Sequence, residues 1–575
     1  MFTSKLAFFL NYDNVKEMNV NREFRKELTM QRLKFNRFLL LLACIGLFLY
    51  LGVSMLYGLR DDEPAVADMP SISKQQAAES AAAFLRQRYE LHNPQTYVVY
   101  QSKKERSGYF QKEHLLEAYT KQYGERFPID YYQVSVKDTT TKRQFEVDVN
   151  YTNSNIIGWH ENLAMTKTKS SSSMSTIKAG TLAKLELRQM GFDPEDFSQV
   201  DDTGNTSPEK QLTLHYEKRT QPIGEAKLNV QVHFDQTNLT GFNVSFGLPD
   251  SHLDWLTQQD DSASRMTWIS MGFTLLMTLA AIVFAIIYRK LIKFSRGLLL
   301  TTIFFVIYIM NNVNMYPAFR VMSGDTNSNE AIWFTIIFMS VVTVLLGISL
   351  YLSLVAGIGL WNSIGQNKWP AWKEDKFGQD VYAGMGRGYL LALFILGIQQ
   401  VLFYTGEVKF DVWSVNDPAD SVLNMLKPQL FPLMAWVAAI SEEATFRFLG
   451  IILFKKLFRN NFIAILLPSV IWAASHTQYP IYPVYTRLIE VTIIGIILGY
   501  VFLKYGFITA IFAHACMDSI LMGLSLFSLG NVSDVLAGIL YLALPGLVGL
   551  GLAWLHGKRR KPPILGEPPP RLEVL

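Results

Sequence analysis

The chain predicts a polytopic α-helical membrane protein of about ten transmembrane helices, with an extracytoplasmic α+β domain between the first and second spans. Three observations carry that reading. Of 575 residues, 50% are hydrophobic, 13% aromatic and 18% charged, against about 25% charged in a soluble chain. The apolar residues fall in recurrent runs of 18 or more with almost no charge, each long enough to cross a bilayer. One long stretch, Leu59 to Arg265, instead has the composition of a soluble domain. The net charge is only +4, and the basic residues sit beside apolar runs, which suits membrane topology and not nucleic acid. Cys44 and Cys516 both lie inside apolar runs, which excludes a disulfide framework and a CxxC cluster.

Residues 1–37 carry eight Lys/Arg, and Phe38–Tyr57 follows as an apolar block. The basic stretch is too long for the charged end of a signal peptide and no small-residue cleavage site follows, so the block is expected to be an uncleaved span. Residues 59–265 contain an internal repeat. Glu146-Val-Asp-Val-Asn-Tyr151, then Asn155 to Trp159, aligns with Asn229-Val-Gln-Val-His-Phe234, then Asn238 to Phe242. Both copies alternate apolar and polar residues, cross an Asn-containing turn and resume at Gly-aromatic, the pattern of a β-hairpin. Each follows a helical stretch, Gln75–Tyr89 with Leu85-Arg-Gln87 and Ile177–Met190 with Leu187-Arg-Gln189. The units run over about 72–164 and 173–250, joined by the Ser/Thr-rich linker Thr166–Thr176. Two helix-plus-hairpin units resemble tandem PepSY-like modules, which are often found outside bacterial membranes.

Four spans are expected within 266–406: Met266–Tyr288, Gly297–Pro317, Ala331–Gly357 and Tyr389–Gly406. Four more, Phe431–Phe454, Phe462–Tyr479, Leu488–Leu503 and Phe507–Leu529, occupy 428–529. The last, Val535–His556, lies in 535–556 and precedes a basic, Pro-rich tail at 557–575. An even count puts both termini on one side. The loops then placed in the cytoplasm hold Arg289, Lys290, Lys293 and Arg296; Lys368, Lys373 and Lys376; and Lys455, Lys456 and Arg459. The tail opens on Lys558 to Lys561, while the loop Glu407–Asp420 is acidic and falls outside. Gly384-Met-Gly-Arg-Gly388 is read as a link between spans and not as a nucleotide loop, because no strand precedes it.

Ionisable residues inside a span cost about 2.5–3.5 kcal/mol each on insertion scales and need a reason. They gather in the C-terminal third: Glu442, Glu443, Arg447, His476, Arg487, Glu490, His514 and Asp518. Glu443 and Arg447 are one helical turn apart and form a natural ion pair. Glu442 lies about 100° round the helix from Glu443 and has no such partner. His476 closes Trp472-Ala-Ala-Ser-His, and His514 and Asp518 share a helix face. Each charged group alone reads as an interhelical lock. Together they supply a base, proton carriers and candidate metal ligands, the means of activating water.

Glu442-Glu443-x-x-x-Arg447, Trp472-x-x-x-His476 and His514-x-x-x-Asp518, on successive spans, resemble the CPBP family of CAAX-processing and bacteriocin-processing (Abi) intramembrane proteases. The likeness covers Pro428 to Leu526, with Trp472 where the family usually has Phe. It implies an endopeptidase acting on membrane-associated protein or peptide substrates. In these roles Glu442 is the base that activates water with His476, His514 and Asp518 hold the oxyanion or scissile carbonyl, and Glu443 and Arg447 brace the helix. Glu442, His476 and His514 also have the types of a zinc-binding carboxylate-plus-two-histidine set; HExxH is lacking, and chemistry without a metal is expected. Two other readings compete: a non-catalytic scaffold or immunity protein of the same fold, and a proton-coupled transporter, which should show repeated spans that this chain lacks.

Overall fold

The computed structural model describes residues 37–58, 70–162, 175–200, 211–235, 238–322 and 329–559. The basic segment 1–36, most of the Ser/Thr linker and the Pro-rich tail lie outside the described residues. Helix α1 (Arg37–Gly58) is almost wholly apolar, and the sheet domain follows it.

That domain is built twice. Its first unit is α2 (Lys74–Arg86), β1 (Pro94–Ser102), the short helices α3 (Lys104–Lys112) and α4 (Leu116–Tyr119), then β2 (Asp130–Asp138), β3 (Gln144–Val149) and β4 (Ile156–Glu161). Its second is α5 (Thr176–Gln189), β5 (Phe197–Val200), β6 (Gln211–Lys218), β7 (Lys227–Asp235) and β8 (Asn238–Gly247). Ser73 and Ser175 start α2 and α5 by accepting backbone N–H bonds. All eight strands form one antiparallel sheet in the order β1-β2-β3-β4-β8-β7-β6-β5. The aligned repeat segments are β3–β4 and β7–β8. Each unit thus has four strands where the hairpin pattern expected two; β1, β2, β5 and β6 are additional.

The order is palindromic, and the units meet at its centre, where Trp159 pairs with Phe242 and His160 with Gly241. Equivalent helix positions do the same work. Ala77, Ala81 and Leu85 in α2, and Ala179, Ala183 and Leu187 in α5, are all 0% exposed. Small residues one turn apart let each helix lie close on the Val/Phe face of the sheet. Across the seam, Arg88 donates to both oxygens of buried Glu186 (2.8 Å each), which also accepts from Trp159 Nε1 (3.2 Å).

From β8 the chain enters α6 (Asp250–Ile287), 38 residues and ~57 Å long at 1.5 Å per residue. It is followed by α7 (Leu298–Asn314), α8 (Tyr316–Met322), α9 (Asn329–Asn362) and α10 (Phe377–Phe410). Next come α11 (Met434–Glu442), α12 (Ile451–Phe458), α13 (Asn461–Ala474), α14 (Val484–Tyr505), α15 (Phe507–Ser525) and α16 (Val532–Arg559). Among the described residues, eight helices are long and apolar enough to cross a membrane. Two expected spans differ in form. Phe431–Phe454 is a 3₁₀ turn (Pro428–Leu433), α11, a π-helical stretch (Glu443–Gly450) and α12. Phe462–Tyr479 stops being helical at Ala474.

Close glycine crossings hold the bundle. A Cβ on Gly397 of α10 would lie 2.1 Å from the Gly46 carbonyl of α1. The Gly384–Gly388 stretch is not a link between spans: it lies inside α10, and a Cβ on Gly388 would meet Phe512 of α15 at 2.7 Å. The sheet domain is tied down by Asn424, whose amide exchanges two 2.8 Å bonds with the Tyr100 backbone on the free edge of β1.

Candidate active site

The π stretch begins between the two adjacent glutamates. Its wider turn shifts register inside a buried helix, and such stretches recur at functional sites. Trp361 Nε1 of α9 donates to the Phe448 carbonyl within it (2.8 Å). Glu442 ends α11 and Glu443 opens the π stretch, so the adjacent carboxylates face different surroundings.

Glu443 is 0% exposed and Arg447 1%. Arg447 Nη1 lies 3.1 Å from Glu443 Oε1, and its guanidinium sits 4.0 Å over the Trp472 ring. The guanidinium nitrogens nevertheless make no hydrogen bond of good geometry. Charge and the ring face therefore hold Arg447. Glu443 Oε1 also lies 2.9 Å from His514 Nδ1. This extends the bracing expected of it: Glu443 links its own helix to α15.

The other set is open. Side-chain exposure is 23% for Glu442, 18% for His476 and 15% for Asp518, against 3% for His514. His476 stands just past the end of α13, where its Nδ1 meets the Trp472 carbonyl at 2.9 Å, an oxygen that also accepts from the Ser475 backbone N–H and hydroxyl. With Nδ1–H donated there, Nε2 keeps its lone pair and faces Glu442 Oε1 at 3.9 Å, beyond direct hydrogen bonding. His514 Nε2 lies 3.8 Å from Glu442 Oε2 and 3.3 Å from Asp518 Oδ2. Glu442 has the partner that helix geometry did not give it: Trp472 Nε1 donates to Oε2 at 2.5 Å. The same indole packs edge-on against His476 and His514, with centroids at 5.0 and 5.8 Å. Reading Trp472 as packing alone missed this bond; the signal was an N–H that Phe lacks. Tyr479, also missed, stacks on His476 at 6.0 Å.

The trio considered for zinc does not fit as a ligand set. Both His514 nitrogens face carboxylates, which only accept, so the ring fits as a doubly protonated donor with no lone pair for a metal. Among the described residues, no group of three or more His, Cys, Asp or Glu is arranged to hold an ion.

A bundle of apolar helices carrying a carboxylate–histidine cluster beside a polar sheet domain defines a polytopic membrane protein. Residues 425–520 match the family model described as type II CAAX prenyl endopeptidase Rce1-like. That stretch is similar to the CAAX protease family. No curated protein and no solved structure matches the chain.

Proposed function

We propose that the protein is an intramembrane endopeptidase that hydrolyses peptide bonds of membrane-associated proteins or peptides. One observation carries the reading: Glu442 sits between two imidazoles at 3.8 and 3.9 Å while Glu443, next in sequence, is sealed against Arg447. A water between Glu442 Oε1 and His476 Nε2 gives up a proton to this pair as its oxygen attacks the scissile carbonyl. His514, charged and held by Glu443 and Asp518, faces the developing oxyanion. As the tetrahedral centre collapses, the C–N bond breaks and the proton held by the Glu442–His476 pair passes to the leaving amine. Trp472 fixes the Glu442 carboxylate throughout.

In this reading the sheet domain is extracytoplasmic, both termini are cytoplasmic, and the sheet domain recruits or gates substrate without cleaving it. Comparing membrane peptides from cells making the wild-type protein and Glu442→Gln tests the activity. A product present only with wild type is expected; identical peptide sets would remove the reading.

A further inference from the structure

A crevice of about 260 Å³ opens between α1, α10, α14 and α15. Tyr50 of α1 and Gln399, Gln400 and Phe403 of α10 form one wall; Arg487 of α14 and Leu521 of α15 form the other. Leu521 lies three residues past Asp518 on α15, and the Arg487 guanidinium is 5.3 Å from the ring of Tyr479, which stacks on His476. Tyr479 thus stands between Arg487 of the crevice and His476. The first wall of the crevice comes entirely from helices outside the family-matched stretch.

The lining joins apolar side chains to Gln399, Gln400 and Arg487, and the arginine has unmet demand. Arg487 Nη1 donates to Glu490 Oε2 at 2.7 Å, while Nε is buried with no hydrogen-bond partner. Glu490 also accepts from Gln399 Nε2 at 3.1 Å. The arginine's charge is thus already balanced, and what remains is a donor seeking a neutral acceptor, not a cation seeking a phosphate. Two primary amides on the facing wall offer both donors and acceptors, the complement of a peptide group. An acyl chain would leave Arg487 Nε without an acceptor in an apolar surrounding. The volume is below that of a drug-sized ligand site and suits one residue and its peptide group.

We propose that this crevice is a substrate subsite, taking one apolar side chain of an extended peptide whose backbone carbonyl accepts from Arg487 and whose amide pairs with Gln400. This rests on the endopeptidase reading, because it supposes that a peptide is what enters.

The test uses the full chain in lipid nanodiscs and a biotinylated 20-residue apolar peptide with one central photo-leucine. Photolysis should label the Gln399–Phe403 segment or Tyr50 in wild type and in Glu442→Gln alike. Gln400→Trp, which fills the crevice, and Arg487→Lys, which keeps the cation but loses the planar donors, should each reduce labelling at least fivefold at an unchanged thermal midpoint. A loss seen only with a lowered midpoint counts against the proposal, as does labelling that survives Gln400→Trp, labelling absent from these helices, or displacement of the peptide by a free fatty acid. Cleavage of the same peptide is scored in parallel. Labelling without cleavage would sink the endopeptidase reading and leave a peptide-binding crevice, whereas cleavage without labelling would overturn the crevice alone.

Discussion

Adjacent glutamates with opposite surroundings should fail in opposite ways. Glu443 neutralises a fully buried Arg447 and anchors His514. Glu443→Gln leaves that cation uncompensated, which costs about 3–5 kcal/mol, and should lower abundance and thermal midpoint together with activity. Glu442 is partly exposed, and its one direct hydrogen bond comes from Trp472. Glu442→Gln should fold normally and cleave nothing; both quantities are measurable on detergent-purified protein. Trp472→Phe keeps the ring under Arg447 and beside both histidines but removes the N–H. Without that donor the Glu442 carboxylate is no longer held in place, so a tenfold or greater loss of cleavage rate is expected at an unchanged thermal midpoint, and a wild-type rate would show that the bond does not position the base. Spacing made the Glu443–Arg447 pair and the His514–Asp518 pair legible beforehand, because both are local to one helix. The bonds from Trp472 to Glu442 and from His514 to Glu443 join different helices, and spacing along the chain carries no record of them.

At the scale of the elements, the apolar runs located the helices, since a bilayer leaves few alternatives. The π stretch was not legible, because Glu443–Gly450 has ordinary helix formers and its register depends on what packs around it. β1 and β2 have the alternation of strands, yet their aromatic and polar residues crowd both faces and blur the pattern. On β7, His233 has its pKa lowered to about 4 by burial and, secondarily, by His160 and His215. Thr213 lies 3.0 Å from its Nδ1. The unfolded chain takes up this proton first, from about pH 6.5 downward. The ring's contribution to stability is therefore full above 6.5 and is lost as pH falls to about 4, by about 2 kcal/mol after allowing for partial solvation. Glu146, pushed upward by burial, acts in the opposite sense and weakens the fold as pH rises through its titration. Unfolding midpoints of residues 70–250 at pH 4.5 and 7 should therefore differ less in His233→Gln than in wild type.

For the molecule as a whole, the proposed orientation rests on the lysines and arginines at the loop ends. A cysteine placed at Ser172 should react with an impermeant reagent added outside intact cells, and one at Gly566 should not. The reverse pattern would invert the protein. The sheet domain and the site are also mechanically joined. α6 carries Ser270 Oγ to the Ile471 carbonyl (2.6 Å) and Ala263 O to Thr477 Oγ1 (3.2 Å), on either side of His476. Nearer the N-terminus of α6, Asp260 holds both Lys104 of the sheet domain and Tyr482. Asp260→Ala should leave the sheet domain folded while reducing cleavage severalfold, read as turnover in nanodiscs.

The palindromic sheet also has an ancestral implication. Antiparallel neighbours at a pseudo-dyad are what two identical chains produce when they pair strand to strand. Trp159 beside Phe242 and His160 beside Gly241 would then be descendants of the same contacts, once made between separate polypeptides. On that reading, fusion of two copies would have made the association covalent, leaving each half to diverge while the other kept its edge covered. Residues 70–162 made alone should still bear the older habit and dimerise through β4, whereas a Pro at His160 should keep them monomeric.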